Sequence, residues 1–345
     1  MNTDNLPGML SLPQDLQKGI EQVLATVPAT QWIHESQALS ERYRSSRVAG
    51  REPLASGIAQ VLGYAALIMP ATYAQLVGAM HATAIRVPHW QPQTMLDMGS
   101  GPGTALWAAV AQWPTLHSLV AWEREPAFID LGQQLASGST TSAIREARWE
   151  SIDLSHRSPS GAYDLVVLGH VLNELDPNTQ RNVITSAWRM TNGLLLIVEP
   201  GTLDTFAVVR AARDALLDEG AHTIAPCVHN HSCPLQNDWC HFPQRLKRPP
   251  FQRRARGAPS EWEDSKFSYA AMARFYTSQP AWARVIREAT SNKAYAETTI
   301  SGSAGVTRYR ALKRHREAFK QIKKMRWGIL LDEPLTDPIK PVEEK

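Results

Sequence analysis

The sequence predicts an α/β fold, with a parallel sheet covered on both faces, helices before it and a cysteine-rich, basic extension after it. Two observations carry this. From Thr94 onward, short unbroken apolar runs alternate with amphipathic helical stretches, and strands buried on both faces read as continuous apolar runs. The first of these runs also passes directly into glycines at every second position, Gly99, Gly101 and Gly103. At 345 residues the chain exceeds one average domain. Its 43% hydrophobic and 20% charged residues suffice for a buried core and exclude a wholly disordered chain.

Residues 1–90 read as a helical N-terminal domain. Leu16, Ile20, Val23 and Leu24 recur at helical intervals, as do Ile58, Leu62, Ala65, Ala66 and Met69. Pro70 ends or kinks the second run, and Ala71-Thr72-Tyr73 opens a third that reaches Met80. Arg42, Arg44, Arg47 and Arg51 form either a solvated helix face or phosphate contacts, and the domain as a whole reads as scaffold. The first residues lack a basic and apolar leader pattern, and no apolar run approaches 18 residues. The expectation is a soluble, cytoplasmic monomer with no membrane partner.

Residues 91–222 form the α/β domain. Its strands are expected at 95–98, 118–122, 163–168 and 194–198, with helices at 104–113, 126–136, 179–189 and 204–217. A Cys/His loop and basic segment follow at 223–260. A small β-rich and basic part spans 261–330, with β-like pieces at 267–269, 284–287 and 295–300 and a helix-compatible basic stretch at 308–326. Residues 331–345 hold three prolines and mixed charges and read as a flexible tail.

The sharpest signal is Leu96-Asp97-Met98-Gly99-Ser100-Gly101-Pro102-Gly103-Thr104, a strand running through a glycine turn into a helix. Glycine lets the backbone turn tightly and approach a ligand, and the helix start presents free N–H groups. The dinucleotide fingerprint needs its third glycine where Thr104 stands, so that reading fails. The D-x-G-x-G-x-G form instead resembles motif I of the class I S-adenosylmethionine-dependent methyltransferases, a Rossmann-like fold. That likeness implies that Asp97, Gly99, Ser100, Gly101 and Gly103 contact the amino-acid end of the cofactor. Glu123 closes the second apolar run, where an acid can accept both ribose hydroxyls. Asp153 suits the adenine edge, and Gly169 opens the segment through Glu174 that follows the fourth strand position. His170 and Glu174 are the candidate general bases, beside structural readings of the same two residues. No Asn/Asp-Pro-Pro-Tyr/Phe follows that strand, so the usual amino-nitrogen methylation signature is missing. A cysteine nucleophile at Cys227 sits too far past the last strand to be favoured.

All three cysteines lie in one loop, Cys227, Cys233 and Cys240, interleaved with His229, His231 and His241 and stiffened by Pro226 and Pro234. An odd number in one short loop excludes a secreted disulfide framework and favours ligation. Three thiolates with one of His229, His231 or His241 would satisfy zinc; an iron–sulfur cluster needs four cysteines, or three and another ligand.

Together, Met69-Pro70-Ala71-Thr72-Tyr73, the loop 96–107, Val171-Leu172-Asn173-Glu174-Leu175, Val198-Glu199-Pro200-Gly201-Thr202, Cys233-Pro234-Leu235 and Asp238-Trp239-Cys240-His241-Phe242 resemble one family. It is the methyltransferase-like small-subunit ribosomal protein family, known from mitochondrial ribosome assembly and found also in bacteria. The resemblance covers about residues 40–330. It implies small-subunit ribosomal RNA and proteins as partners, an S-adenosylmethionine-type pocket, and a 4Fe–4S cluster in which Cys227, Cys233 and Cys240 match three of the cysteines. The fourth falls near Ile300-Ser301-Gly302, where this chain has none.

Basic residues crowd two stretches. Arg245, Lys247, Arg248, Arg253, Arg254 and Arg256 follow the cysteine loop; Arg308, Arg310, Lys313, Arg314, Arg316, Lys320, Lys323, Lys324 and Arg326 lie near the end. Such density neutralises phosphates and releases counterions, and Tyr309, Phe319 and Trp327 add stacking surfaces. The function read from the sequence is an S-adenosylmethionine-binding protein of the small ribosomal subunit that methylates ribosomal RNA. The alternative is a non-catalytic RNA-binding assembly factor with a structural metal or iron–sulfur site.

Overall fold

The computed structural model describes residues 8–45, 57–155, 160–235 and 237–342, the side chains of 42–45 excepted. Arg47 and Arg51, and the side chains of Arg42 and Arg44, therefore lie outside the described residues. Four helices come first: α1 (Gln14–Leu24), α2 (Ala29–Ser45), α3 (Ile58–Leu67) and α4 (Met69–Ala84). Pro70 stands in the first turn of α4, where its missing N–H costs nothing, and the chain bends 50° between α3 and α4. No single helix among the described residues is long and apolar enough to cross a bilayer. The apolar pair α3 and α4 is mostly buried within the fold.

The chain then alternates through β1 (Thr94–Met98), α5 (Thr104–Gln112), β2 (Ser118–Glu123), α6 (Pro126–Ser137), α7 (Ser142–Arg145), β3 (Arg148–Ser151), β4 (Tyr163–Gly169), α8 (Pro177–Met190), β5 (Thr191–Pro200), α9 (Leu203–Asp218) and β6 (His222–Ala225). After the cysteine loop come β7 (Phe242–Lys247), α10 (Pro250–Arg256) and β8 (Trp262–Ala273). The order across the main sheet is β3-β2-β1-β4-β5-β8-β6, with β7 also paired to β8. Strands β1 to β5 are parallel, and β8 runs antiparallel to β5, β6 and β7. This is a Rossmann-like, doubly wound α/β fold. Leu165 to Leu168 and Leu194 to Val198 are wholly buried, one set of side chains facing α4 and α5 and the other facing α8 and α9; each contributes roughly 1.5–3 kcal/mol by burial.

The sheet crosses the boundary that the sequence places at residue 222. The β-like piece at 267–269 is the middle of a 12-residue strand, β8, seated between β5 and β6. Its buried half, Phe267-Ser268-Tyr269-Ala270-Ala271-Met272-Ala273, is rich in residues with helical preference and lacks β-branched side chains. Tertiary pairing overrides that local preference.

A second sheet contains β9 (Ala283–Val285), β10 (Thr290–Ser291), β11 (Tyr295–Gly302), β12 (Gly305–Leu312), β13 (Leu330–Leu331) and β14 (Lys340–Pro341), with α11 (Arg316–Lys323) against it. Two expectations are corrected here. The basic stretch 308–326 is a strand and then a helix, because the β11–β12 hairpin pairs through to Leu312. The segment after 330 is no free tail: Leu331 pairs with β9, Lys340 pairs with β12, and Ile339 packs into the small core.

Candidate functional site: a carboxylate-lined cleft and a cysteine cavity

The strand order reverses between β1 and β4, and in open α/β sheets the crevice outside the strand ends at such a point is where ligands bind. The cleft there holds about 900 Å³, counting space open at its mouth. The turn after β1 brings Gly99, Ser100 and Gly101 to it, whereas Gly103, expected among the cofactor contacts, does not line it. The N–H groups of Gly99 and Ser100 both donate to the Trp122 carbonyl, at 2.8 and 2.9 Å. Gly99 and Gly101 have φ of 73° and 52°, a region costly for residues with a Cβ. Their surroundings differ. A Cβ on Gly99 would stand 2.5 Å from Val171, whereas one on Gly101 would meet nothing nearer than the Tyr64 hydroxyl at 4.0 Å. Gly103 caps α5 and packs against Trp149, so Gly101 is the position held open toward the cleft.

Glu123 ends β2 with its carboxylate pinned. One oxygen accepts from the Gly101 N–H at 2.8 Å, the other from the N–H groups of Arg124 and Glu125 at 2.8 and 2.9 Å. Burial raises its pKa, and these hydrogen bonds oppose the rise. Asp97 is 1% exposed and its Oδ2 has no partner. Burial, with the charge of Glu123 added, pushes it up to about 8. Asp153 lies exposed at the rim and accepts from the Ser155 N–H.

Gly169, His170 and Glu174 line the opposite wall. His170 holds a left-handed backbone, φ 60°, with its N–H on the Val198 carbonyl at 2.8 Å. Burial lowers its pKa to about 4, so the ring is neutral, and its Nε2 is buried without a partner. Glu174 is pushed up to about 8 by burial and by the charges of Glu199 and Glu123, against Arg124. Behind it Glu199, fully buried at the end of β5, accepts from the Leu172 N–H at 2.9 Å and from the Asn173 amide. Burial raises Glu199 to about 7 despite those bonds.

Two contributions escape sequence reasoning. Tyr64, Thr72 and Leu76, from α3 and α4, also line the cleft, so the helical domain is part of the site and not scaffold alone. Glu199 was visible only as part of the strand-end Val198-Glu199-Pro200; nothing local marks it as the clamp on Asn173.

The cleft fits S-adenosylmethionine on its own geometry. An orphaned buried carboxylate oxygen on Asp97 awaits a donor, and Gly101 leaves a cradle that a Cβ would fill.

The three cysteines share a second cavity, lined also by Arg213, Arg284, Tyr269 and Ser301. The loop that carries them is tied down by arginines. Arg213 donates to the carbonyls of His229 and His231 at 3.0 and 2.8 Å, Arg284 to Pro226 at 2.6 Å, and Arg287 to Trp239 at 3.0 Å. Ser268 of β8 donates to the Cys240 carbonyl at 2.7 Å. Burial pushes the Cys227 and Cys240 thiols up. The histidines do not join them. His241 stacks against Trp239 and lies edge-on to Trp327, His231 faces the Ser303 carbonyl, and none of the three lines the cavity. Among the described residues, no group of three or more His, Cys, Asp or Glu side chains is arranged to hold a metal ion. The residues present therefore do not fit a Cys/His zinc site.

The basic candidates divide. Arg248 and Arg256 pair with Glu263 at 3.0 and 3.3 Å, Arg245 pairs with Asp264 at 2.8 Å, and Arg254 lies over the Trp32 ring. Arg253 is half-buried with its Nε unpartnered. Arg310 pairs with Glu297 and stacks on Tyr295 at 4.1 Å. Lys247, Arg308, Lys313, Arg314, Lys323 and Lys324 are exposed. The first run thus serves largely to hold β7, α10 and β8 together, and the exposed charge is concentrated on β12, α11 and the turns that flank them.

Comparison with known proteins follows this geometry. A family model described as "Mitochondrial small ribosomal subunit Rsm22" matches residues 58–332. The human "Ribosome assembly protein METTL17, mitochondrial" is 28% identical over 289 residues, which are 78% of this chain and 62% of that protein. The "Rsm22-cox11 tandem protein 2, mitochondrial" of Schizosaccharomyces pombe is 26% identical over 221 residues, 56% of this chain and 29% of that protein. The chain thus spans less than two thirds of these curated relatives. Among solved structures, the magnesium protoporphyrin IX methyltransferase of Synechocystis PCC 6803 with bound SAM aligns over 70% of this chain and 97% of its own, at 11% identity and a TM-score of 0.39. The N-methyltransferase NodS of Bradyrhizobium japonicum WM9 aligns over 58% and 84%, at 14% identity and a TM-score of 0.36.

Proposed function

We propose that this chain, which belongs to the mitochondrial small ribosomal subunit Rsm22 family, binds S-adenosylmethionine in the carboxylate cleft and methylates RNA of the small ribosomal subunit during assembly, in the cytoplasm. The observation that carries the reading is the cleft itself: an open glycine turn, two acids at successive strand ends and an unpartnered carboxyl at one switch point. When bound, the cofactor supplies an activated methyl on a sulfonium. Asp97 would hold its ammonium end and Glu123 its ribose hydroxyls. His170, with an unpartnered Nε2, and Glu174 are the wall groups placed to take a proton, and the burial that holds the His170 ring neutral also makes it the weaker base. The helices α3 and α4 close one side and exclude water, and the chain contributes chiefly by proximity and orientation.

A second reading is a non-catalytic assembly factor. It is favoured by the missing Asn/Asp-Pro-Pro-Tyr/Phe signature and by Glu174, which burial raises to about 8 and so leaves largely uncharged near neutrality. In either reading the exposed Arg308, Lys313, Arg314, Lys323 and Lys324 would meet phosphate. The family resemblance would put a 4Fe–4S cluster at the cysteine cavity, which Cys227, Cys233, Cys240 and Ser301 line, but the described side chains are not arranged to hold a metal ion there, and no step is derived through it.

The test is transfer of labelled methyl groups to small-subunit RNA by the wild type and by Gly101→Arg, with association to the subunit measured in parallel. Label lost in the variant with association retained supports the enzyme. No label from the wild type on any assembly intermediate, with association intact, leaves the second reading.

A further inference from the structure

We propose that Glu174, on the wall opposite the glycine turn, makes the cleft selective for a cationic sulfur centre, so that S-adenosylmethionine is retained and its neutral-sulfur product S-adenosylhomocysteine is released. The inference rests on the reading of the cleft as an S-adenosylmethionine site and adds what that site discriminates.

The argument begins with the charge lining the cleft. Among the described residues, Asp97, Glu123, Glu125, Asp153 and Glu174 face it against a single cation, Arg124. Arg124 is 42% exposed and turned to Glu125 at 3.4 Å, so it does not neutralise the inner acids. Most acids of the site are already satisfied: Glu123 by three N–H groups, Glu199 by Leu172 and Asn173, Asp153 by Ser155. Two are not. Asp97 keeps a buried oxygen without a partner, and no hydrogen bond reaches the Glu174 carboxyl from any described residue. Holding an unpaired carboxylate away from water is costly, and a proton removes that cost. Burial pushes both groups up to about 8 accordingly. A positive ligand does the same work as the proton.

S-adenosylmethionine and S-adenosylhomocysteine share their amino-acid and nucleoside ends and differ by one methyl and one positive charge. Only a group beside the sulfur can tell them apart. Asp97 and Glu123 stand on the glycine-loop side of the cleft, at the ends of β1 and β2. Glu174 comes from the opposite wall, after β4, held in place by the Glu199–Asn173 clamp behind it. Two charges about 4 Å apart in a partly buried setting interact strongly enough to change affinity by a factor of ten or more.

The experiment is calorimetric titration of the full chain with S-adenosylmethionine, S-adenosylhomocysteine and sinefungin, in which a carbon replaces the sulfur and a protonated amine stands in the place of the transferable methyl. The wild type should bind S-adenosylmethionine and sinefungin at least about tenfold more tightly than S-adenosylhomocysteine. Glu174→Gln, isosteric and neutral, should bring that ratio toward one while leaving S-adenosylhomocysteine affinity within about threefold, and Asp97→Asn should weaken all three ligands. Equal affinity for the three in the wild type overturns the proposal. So does a ratio unchanged in Glu174→Gln, provided thermal unfolding shows the variant folded. If none of the three ligands binds the wild type, the cofactor reading itself falls, an outcome distinct from equal binding.

Discussion

Replacing Gly101 by alanine separates the cost of backbone conformation from the cost of filling the cleft. At φ 52° a Cβ is strained by roughly 1–2 kcal/mol, but it meets nothing closer than the Tyr64 hydroxyl at 4.0 Å. The folded protein should therefore lose about 1–2 kcal/mol, a fall in Tm of a few degrees for a chain of this size. Cofactor affinity should fall much further, by at least about tenfold, because the added methyl occupies the space kept open for the ligand. Gly99→Ala is the counterpart. The same strain applies at φ 73°, and its Cβ would stand 2.5 Å from Val171, so overpacking adds about 1–3 kcal/mol. Thermal unfolding and calorimetric titration with S-adenosylmethionine measure the two effects independently. Gly101→Ala with affinity within twofold of wild type would refute the assignment of this turn as the contact surface. Equal stability of the two variants would refute the steric role of Val171.

Other perturbations test the acids and bases. Burial pushes Asp97, Glu174 and Glu199 up to about 8, 8 and 7, well above the ordinary carboxyl range. The stability their protonated forms provide is fully present near pH 4 and is lost as pH rises through 7 to 8. The ligand-free Tm should therefore fall between pH 6 and pH 8.5, and the stabilisation by S-adenosylmethionine should grow as pH rises toward 8; a flat or rising ligand-free Tm would contradict the burial argument. Glu263→Gln strips Arg248 and Arg256 of a partner that is 9% exposed and should cost about 3 kcal/mol by denaturant unfolding. Asp264→Asn, at a 45% exposed pair, should move the midpoint little. Lys323→Gln with Lys324→Gln should weaken RNA binding across sequences and reduce the log–log salt slope by roughly 1.4–1.8; an unchanged slope would remove α11 from the phosphate-contacting surface.

Asp97, Glu123, Asp153 and the segment from Gly169 to Glu174 were legible because each stands just past a strand or strand position in chain order, and a parallel sheet gathers such positions at one edge. What the sequence did not disclose depends on contacts far apart in the chain. Tyr64 reaches the cleft through the packing of α3, and Ser301, which only the family resemblance pointed to, reaches the cysteine cavity through β11. No local pattern encodes either. The central strand β8 was understated because Ala270, Ala271 and Ala273 carry no strand preference of their own. Charge density likewise could not separate Arg248, locked on Glu263, from the exposed Lys247 one residue away.

The same strand makes the two cavities mechanically dependent on each other. In the antiparallel pairing of β5 with β8, Glu199 stands directly opposite Ser268, and Val198 opposite Tyr269. Directly opposed residues share a face of the sheet, about 4.5–5.5 Å apart. Glu199 clamps Leu172 and Asn173, which set the wall that carries Glu174; Ser268 holds the Cys240 carbonyl, and Tyr269 lines the cysteine cavity. Neither side chain is more than 1% exposed, so neither can relax into solvent when the other changes. Ser268→Ala frees the carbonyl of Cys240, and Glu199→Gln alters the clamp on Asn173. Independent sites would add within about 0.3–0.5 kcal/mol, whereas neighbours in one network depart from additivity by about 0.5–3 kcal/mol. A double-mutant cycle on unfolding free energy should show that departure. A cycle that closes within about 0.3 kcal/mol would mean that the cleft and the cysteine loop only adjoin the same strand pair without acting on each other through it.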